Sequence, residues 1–472
     1  MYLLARHWVN TESAVFAACL YTVNPYALFV VYERSAYGEL LAASALPLVV
    51  LFALRRSPSI AMLGLAMATI WLSDAPAAVL ASYMLAFLAL AMALLGRRTW
   101  PALRAAGGMA LGLGLAAFYI VPAAYERAWV QISLAVSPGA RVQDGFLFGH
   151  TGDLLHDQVL RTASWIFAGE IAVAALAAGV AMRQPSGSRS RIALLSLLPV
   201  ILFLQFPVSL PVWRAAPELE FLQFPWRCTL AAAVAACFFL GMAISGGSAT
   251  ARPARAAWVR RAAVALAVLA LVAGGERIFF QVCDGEDAVT PRWAAFRAGP
   301  IAAGVEGSDQ YTPRNADGGD IQQALPLVRV LQSPQGDAVN EDETQTANPQ
   351  WVPNAAGAVK AKVTVTERDV EHWKIRIDGA PGGYAVLRLM DYPAWRVTLN
   401  GKAVADRPQR PDGLMTIPLA AGSNNIRNVI DVQWKTTGDV IAGDAISLLS
   451  LLLLLPLVIG ERRRAKRVAG QP

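Results

Sequence analysis

A chain of 472 residues that is 55% hydrophobic and only 16% charged, with mean hydropathy +0.42, is too apolar for an ordinary soluble enzyme. Its net charge of +7, from 41 basic and 34 acidic residues, does not point to nucleic acid, because the basic residues sit in short runs beside apolar blocks rather than along one polar face. The composition is that of a polytopic membrane protein.

Runs of about 20 apolar residues predict ten spans, at about 12–31, 40–54, 60–74, 76–96, 105–124, 163–182, 192–212, 228–245, 262–280 and 442–460. The second and third are short. Between them, arginine and lysine fall on alternate loops: Arg55 and Arg56, then Arg97, Arg98 and Arg104, then Arg183, Arg189 and Arg191, then Arg252, Arg255, Arg260 and Arg261, and finally the tail from Arg462 to Arg467. Such loops belong on the cytoplasmic side. An even number of spans then leaves both termini in the cytoplasm and puts YERSAYGE (32–39) on the outer face. MYLLARHWVNTE has no small-residue cleavage pattern, so the first span is expected to act as the insertion signal.

From 281 to 441 the chain turns polar. Period-two alternation in VKAKVTVTE (359–367), HWKIRID (372–378), YAVLRLM (384–390), WRVTLNG (395–401), LMTIPL (414–419) and IRNVIDVQW (426–434) predicts an outer antiparallel β-sandwich over about 356–436. Residues 281–350 carry few periodic apolar positions and read as a loop or linker. Trp373, Trp395 and Trp434 fall on these strands, where the choice lies between core packing and stacking on sugar rings. Residues 442–460 then form the last span, ahead of a basic cytoplasmic tail at 461–472.

Cys19, Cys228 and Cys237 lie in apolar spans and Cys283 stands alone on the outer side, so no disulfide is expected. The four histidines are scattered. His150 and His156 share a loop with Asp144, Asp153 and Asp157, read as a solvated loop rather than a cation site. No phosphate-binding G-x-x-x-x-G-K-[ST] loop occurs.

Ionisable residues gather instead at the outer ends of the spans: Glu33, Arg34 and Glu39 with Tyr37, then Asp74, then Glu126, then Glu170 within the sixth span, then Arg227 in LQFPWRC. Charges at membrane depth tend to line substrate cavities or to pair with one another. Carboxylates there serve as base or metal ligand, and arginines as a bidentate clamp for phosphate. Glu39, Glu33 and Asp74 are the candidate catalytic acids; Arg34, Tyr37, Glu126, Glu170 and Arg227 are the candidate substrate contacts. Pro225 disfavours helix at Phe224, so a break is expected at the entry to the eighth span.

The run YTVNPYALFVVYERSAYGELLAASALPLVVL (21–51), with LQFPWR (222–227), the YTP at 311–313 and DYPAWRVTLNGKAV (391–404), resembles bacterial membrane proteins termed 6-pyruvoyl-tetrahydropterin synthase-related, which are similar to GT-C membrane glycosyltransferases with an outer β-domain. Pterin chemistry itself is excluded by the lack of a histidine cluster. The resemblance implies an α-helical polytopic protein of the bacterial inner membrane that transfers sugar from a polyprenyl-phosphate donor at the outer leaflet in cell-envelope glycan synthesis, with other envelope glycan proteins as partners and a divalent cation (Mg or Mn) as the cofactor. It further implies an N-terminal truncation, with the catalytic acid of the first outer loop upstream of Met1, and Asp74 stands where a histidine is expected. A flippase or transporter of a lipid-linked intermediate and a non-enzymatic assembly subunit stay open beside this reading.

Overall fold

In the computed structural model, the residues described are 1–55, 57–182, 188–245, 326–335, 358–380, 382–420 and 427–469, with isolated positions between 257 and 352. The expected span at 262–280 lies mostly outside them, as does Cys283. The chain divides into two compact units, Met1–Ile120 with Val136–Val282 and Ala442–Pro472, and Val121–Ala135 with Cys283–Ile441.

The first unit is helical. Its elements are α1 (Tyr2–Arg6), α2 (Thr11–Thr22), α3 (Pro25–Tyr32), α4 (Tyr37–Ala53), α5 (Ile60–Ser73), α6 (Ala75–Gly96), α7 (Trp100–Leu115), α8 (Ala117–Glu126), α9 (Leu154–Ala181), α10 (Ser188–Leu204), α11 (Leu210–Ala215), α12 (Thr229–Ser245) and the C-terminal α13 (Gly438–Ala469), of which α8 and α13 run on into the second unit. Local chemistry sets their starts. Side-chain oxygens of Asn10, Asn24, Ser59, Asp74 and Asp153 accept from backbone N–H groups in the first turns of α2, α3, α5, α6 and α9.

Among the described residues, five segments are long and apolar enough to cross a membrane: Thr11–Tyr32, Ala75–Gly96, Leu154–Ala181, Pro225–Ser245 and Gly438–Arg464. Two bent pairs raise that number to seven, α7 with α8 (75°) and α10 with the Pro207–Ala215 segment (99°). The expected spans at 40–54 and 60–74 correspond to α4 and α5, which at 17 and 14 residues are shorter than the roughly 20 that a bilayer crossing needs. Residues Thr229 to Ala243 of α12 are all buried, so this helix is central to the unit.

One end of this unit is basic. Ser190 Oγ donates to Leu54 O (3.1 Å), Arg191 Nη1 to Ala181 O (2.8 Å) and Arg104 Nε to Pro58 O (2.5 Å). Glu461 of α13 pairs with Arg104 and accepts from Ser59 Oγ (2.5 Å) and the Ile60 N–H (2.8 Å). Ends of α4, α5, α7, α9, α10 and α13 thus meet in one polar layer. The C-terminal end of α5 lies about 20 Å away at 1.5 Å per residue, and the acidic and aromatic cluster described below gathers there.

The second unit is built on antiparallel sheets. Its strands are β1 (Val328–Leu331), β2 (Val339–Asn340), β3 (Trp351–Val352), β4 (Lys362–Arg368), β5 (His372–Asp378), β6 (Tyr384–Met390), β7 (Trp395–Leu399), β8 (Lys402–Ala403), β9 (Leu414–Pro418) and β10 (Arg427–Trp434). They pair as β4-β5-β10-β7-β8, as β1-β6-β9 and as β2-β3. Alternation along β5 and β10 turns Trp373, Ile375, Ile377, Ile430 and Val432 inward, into one cluster with Ala385 and Leu387 of β6 and Met415 and Ile417 of β9. All six expected strands are present.

The stretch read as a linker also holds β1, which pairs with β6 over Val328–Leu331 and Tyr384–Leu387. Four residues are too few for alternation to register, and β1 owes its conformation to its neighbour. Trp373 and Trp395 are core residues, 5% and 6% exposed, whereas Trp434 is 40% exposed and meets Trp395 edge to face.

Candidate functional site

The YERSAYGE stretch is a tight connection between two helices. Helix α3 ends as the N–H groups of Glu33 and Arg34 both reach Phe29 O (3.0 and 3.2 Å) and that of Ala36 reaches Val30 O (3.0 Å), with Ser35 in the left-handed region at φ 49°. Helix α4 begins two residues later, so Glu39 falls in its first turn, where the helix dipole favours a carboxylate. Gly38 permits the close approach. A Cβ there would lie 2.7 Å from Ser73 O and 3.8 Å from Asp74 Oδ2, so only glycine lets α4 start against the junction of α5 and α6.

Glu39 is 2% exposed and fully engaged. Oε1 accepts the Tyr26 hydroxyl at 2.5 Å, and Oε2 accepts Arg34 Nη1 at 2.6 Å with Arg227 Nε 3.7 Å away. Burial pulls the Arg34 guanidinium toward neutrality, but Glu39, Tyr26 and Asp74 together outweigh it and hold the charge more firmly than in water.

Arg227 enters from the expected break. Phe224 is extended (φ −116°, ψ 114°) ahead of Pro225, and Pro225–Cys228 form a 3₁₀ turn. The freed Pro225 carbonyl accepts from the fully buried Gln205 (2.9 Å), and Arg227 Nη1 donates to Leu222 O (3.1 Å). Gln223 sits at φ 64°, a strained conformation for a residue with a side chain. Phe224 and Trp226 stack at 5.0 Å, with Arg34 over Trp226 at 4.8 Å and Arg227 over Phe224 at 5.5 Å. Arg227 Nε has no hydrogen-bond partner although it is buried.

Of the residues singled out by sequence, Glu39, Arg34 and Arg227 come together here. Asp74 borders them, accepting from the Ala77 N–H at 2.8 Å as the cap of α6; burial raises its carboxyl above the ordinary value, Ala77 lowers it, and the Glu39 charge adds to the rise. Glu170, 3% exposed, is one residue removed, accepting the Tyr26 N–H at 3.2 Å. Glu33 is the half-buried C-cap of α3, and Tyr37 is 64% exposed. Glu126 belongs to the second unit, where it faces Asp439.

Tyr26 is the participant that sequence reasoning missed. Its signal was a hydroxyl-bearing aromatic directly after Asn-Pro inside an apolar span.

Beyond this cluster, Asp144 holds Arg141, His150 pairs with Asp157, and Asp153 caps α9, so these loop residues are spread over separate interactions. Among the described residues no three His, Cys, Asp or Glu side chains converge as a cation site, and both Glu39 oxygens already accept donors. The donor set therefore does not fit a divalent cation. In this arrangement Glu39 orients two guanidiniums, and spare donor capacity rests on the arginines. Searches of the chain against protein-family models, curated proteins and solved structures gave no match.

Proposed function

We propose that this chain is a glycosyltransferase-like protein of the bacterial inner membrane, related to the GT-C type, which handles a polyprenyl-phosphate-linked sugar at the outer leaflet for cell-envelope glycan synthesis. The observation that carries the reading is the convergence of Arg34 and Arg227 on the single buried carboxylate of Glu39 beside a Phe224–Trp226 stack. A phosphate matches guanidinium geometry as a carboxylate does and brings more charge, so it can take the place of Glu39 on the arginines. Aromatic faces beside them suit a prenyl chain or a sugar ring.

Orientation follows the basic layer. With that layer cytoplasmic, both termini are inside, the arginine cluster faces outward, and the second unit, read as a β-sandwich, is extracytoplasmic. The 14 residues of α5 separate the two layers by about 20 Å, less than the roughly 30 Å of a hydrocarbon core. The cluster then lies below the outer headgroups, and a lipid phosphate reaches it by being drawn inward where the bilayer thins around the short helices α4 and α5. Glu39 and Asp74 stand as the acidic groups of the site, with no step assigned to a metal.

A transporter of the same lipid-linked intermediate is the second reading. It is favoured by the interruption between α2 and α3 and by the bent pairs α7–α8 and α10–α11, since irregular backbone at membrane depth is tolerated where it lines a cavity.

Label transfer from a polyprenyl-phosphate sugar in proteoliposomes tests the proposal. Covalent product from the parent, reduced at least about tenfold in Arg34→Ala and Arg227→Ala, supports the transferase. Movement of label across the bilayer without product favours the transporter. Absence of product, movement and binding together rejects both.

A further inference from the structure

The interruption between α2 and α3 carries a polar feature that the arginine cluster does not use. Val23 (φ −109°, ψ 23°) and Asn24 (φ −66°, ψ 152°) interrupt a 22-residue apolar span, and each donor freed there can be accounted for in the first turn of α3. Pro25 has no N–H, and Ala27 donates to Asn24 Oδ1 at 2.8 Å. Tyr26 donates to Glu170 Oε1 at 3.2 Å, so a carboxyl from the middle of α9 caps a half-helix inside the bundle.

The other oxygen of that carboxyl, Oε2, has no partner although Glu170 is 3% exposed. Beside it lies a cavity of about 30 Å³ bordered by Leu20, Asn24, Pro25, Glu170, Ala233 and Cys237. That volume admits about one water molecule.

No basic side chain pairs with Glu170 among the described residues. The titratable groups that face it are Tyr21 of α2, Tyr26 of α3 and Cys237 of α12, with the Met1 amine facing Cys237 in turn. The Tyr21 hydroxyl is committed to Ala43 O at 2.8 Å and the Tyr26 hydroxyl to Glu39. A metal ion would find too few oxygen ligands in a wall made mostly of Leu, Ala and Val. An isolated carboxylate in such surroundings is expensive, whereas a carboxylic acid supplies the donor that its empty side calls for.

We propose that Glu170 is a proton-binding site, a neutral acid whose O–H points into the cavity at the helix break, and that its proton occupancy is coupled to the Arg34–Glu39–Arg227 cluster through Tyr26. On release, the Oε2–H bond breaks, the electron pair stays on the carboxylate and the proton passes to a water that enters the cavity. The N-terminal dipole of α3 balances part of the new charge. The charge strengthens the Tyr26 N–H bond and draws the first turn of α3 toward α9. The hydroxyl of the same residue holds Glu39, so that shift is felt at the arginines. The proton site stands without the lipid-phosphate reading, and neither of its readouts uses a ligand.

Infrared spectra of the reconstituted full chain test it at neutral pH. A protonated-carboxyl C=O band that shifts in D₂O and disappears in Glu170→Gln is expected; a spectrum unchanged by the substitution overturns the proton site. Should Glu170→Gln fail to fold, Glu170→Asp must move the pH midpoint of that band, and an unmoved midpoint overturns it equally. Coupling is read from Trp226 fluorescence, as the difference between the parent and Trp226→Phe across a pH titration. One step at the midpoint of the infrared band, absent in Glu170→Gln, is expected, and a step that persists in the variant overturns the coupling.

Discussion

The Tyr26 hydroxyl donates to Glu39 Oε1 at 2.5 Å, joining the middle of the first long apolar segment to the first turn of α4. Both residues are nearly inaccessible, at 1% and 2%, so the bond forms away from water and its loss leaves a charged acceptor short of a partner. Tyr26→Phe is expected to destabilise the helical unit by about 1.5–3 kcal/mol, the range for hydrogen bonds to charged groups. Thermal unfolding in detergent measures it, and a midpoint equal to that of the parent would show that the bond contributes nothing net.

Asp74 is a helix cap burdened with a charge. Burial raises its carboxyl above the ordinary aspartate value of 3.8, partly offset by the Ala77 N–H. Folding therefore increases its proton affinity, so its contribution to stability is whole below 3.8 and is lost as pH rises through the higher folded value. Asp74→Asn keeps a side chain that caps equally well. The variant should match the parent in acid and exceed it toward neutral pH. Parallel unfolding curves across that range would contradict the assignment.

At the basic end, Arg104 and Glu461 pair with side chains 8% and 20% exposed, and Glu461 also serves Ser59 and Ile60. A cycle of Arg104→Met, Glu461→Gln and the double variant is expected to give a coupling energy of about 1–3 kcal/mol, below the fully buried case because Glu461 keeps some water. Additive single effects would mean that the carboxylate acts through α5 alone.

Helices α5 and α7 touch through glycine. A Cβ on Gly112 would lie 2.6 Å from Met67 Cβ and 3.0 Å from Gly64 O, the close approach that small residues allow between membrane helices. Gly112→Ala should cost about 1–3 kcal/mol by overpacking. Gly179→Ala on α9, where a Cβ meets nothing within 4 Å, should cost nothing or stabilise slightly. Equal effects at the two positions would count against the packing argument.

Much of this was legible in the residues because apolar runs and period-two alternation are local signals. All six expected strands lie close to their predicted limits, and Phe224-Pro225 marked its own break. The tilt between α7 and α8 was not legible, since Ala116 carries no breaker and the bend belongs to the packing of Ala117 and Phe118 against Gly443 and Ser447 of α13. Nor could spacing reveal that Glu170, 144 positions from Tyr26, supplies the acceptor at the start of α3. Arg34 and Glu39 were legible as charges near one another, but not the full commitment of the carboxylate. That commitment moves the site's chemistry from the acid to the two arginines.

Helix α13 is fastened at two places. Near its start Ser447 receives the Phe118 N–H and donates to Gly114 O, and near its end Glu461 takes Arg104, Ser59 and Ile60. Between the fasteners most of its leucines are exposed, Leu448, Leu449, Leu451, Leu452, Leu453 and Leu455 among them. About 20 Å of helix separates the two, so in a bilayer α13 acts as a gauge of fixed length. A change in membrane thickness is then taken up by tilt of α13 together with α5 and α7, to which it is tied.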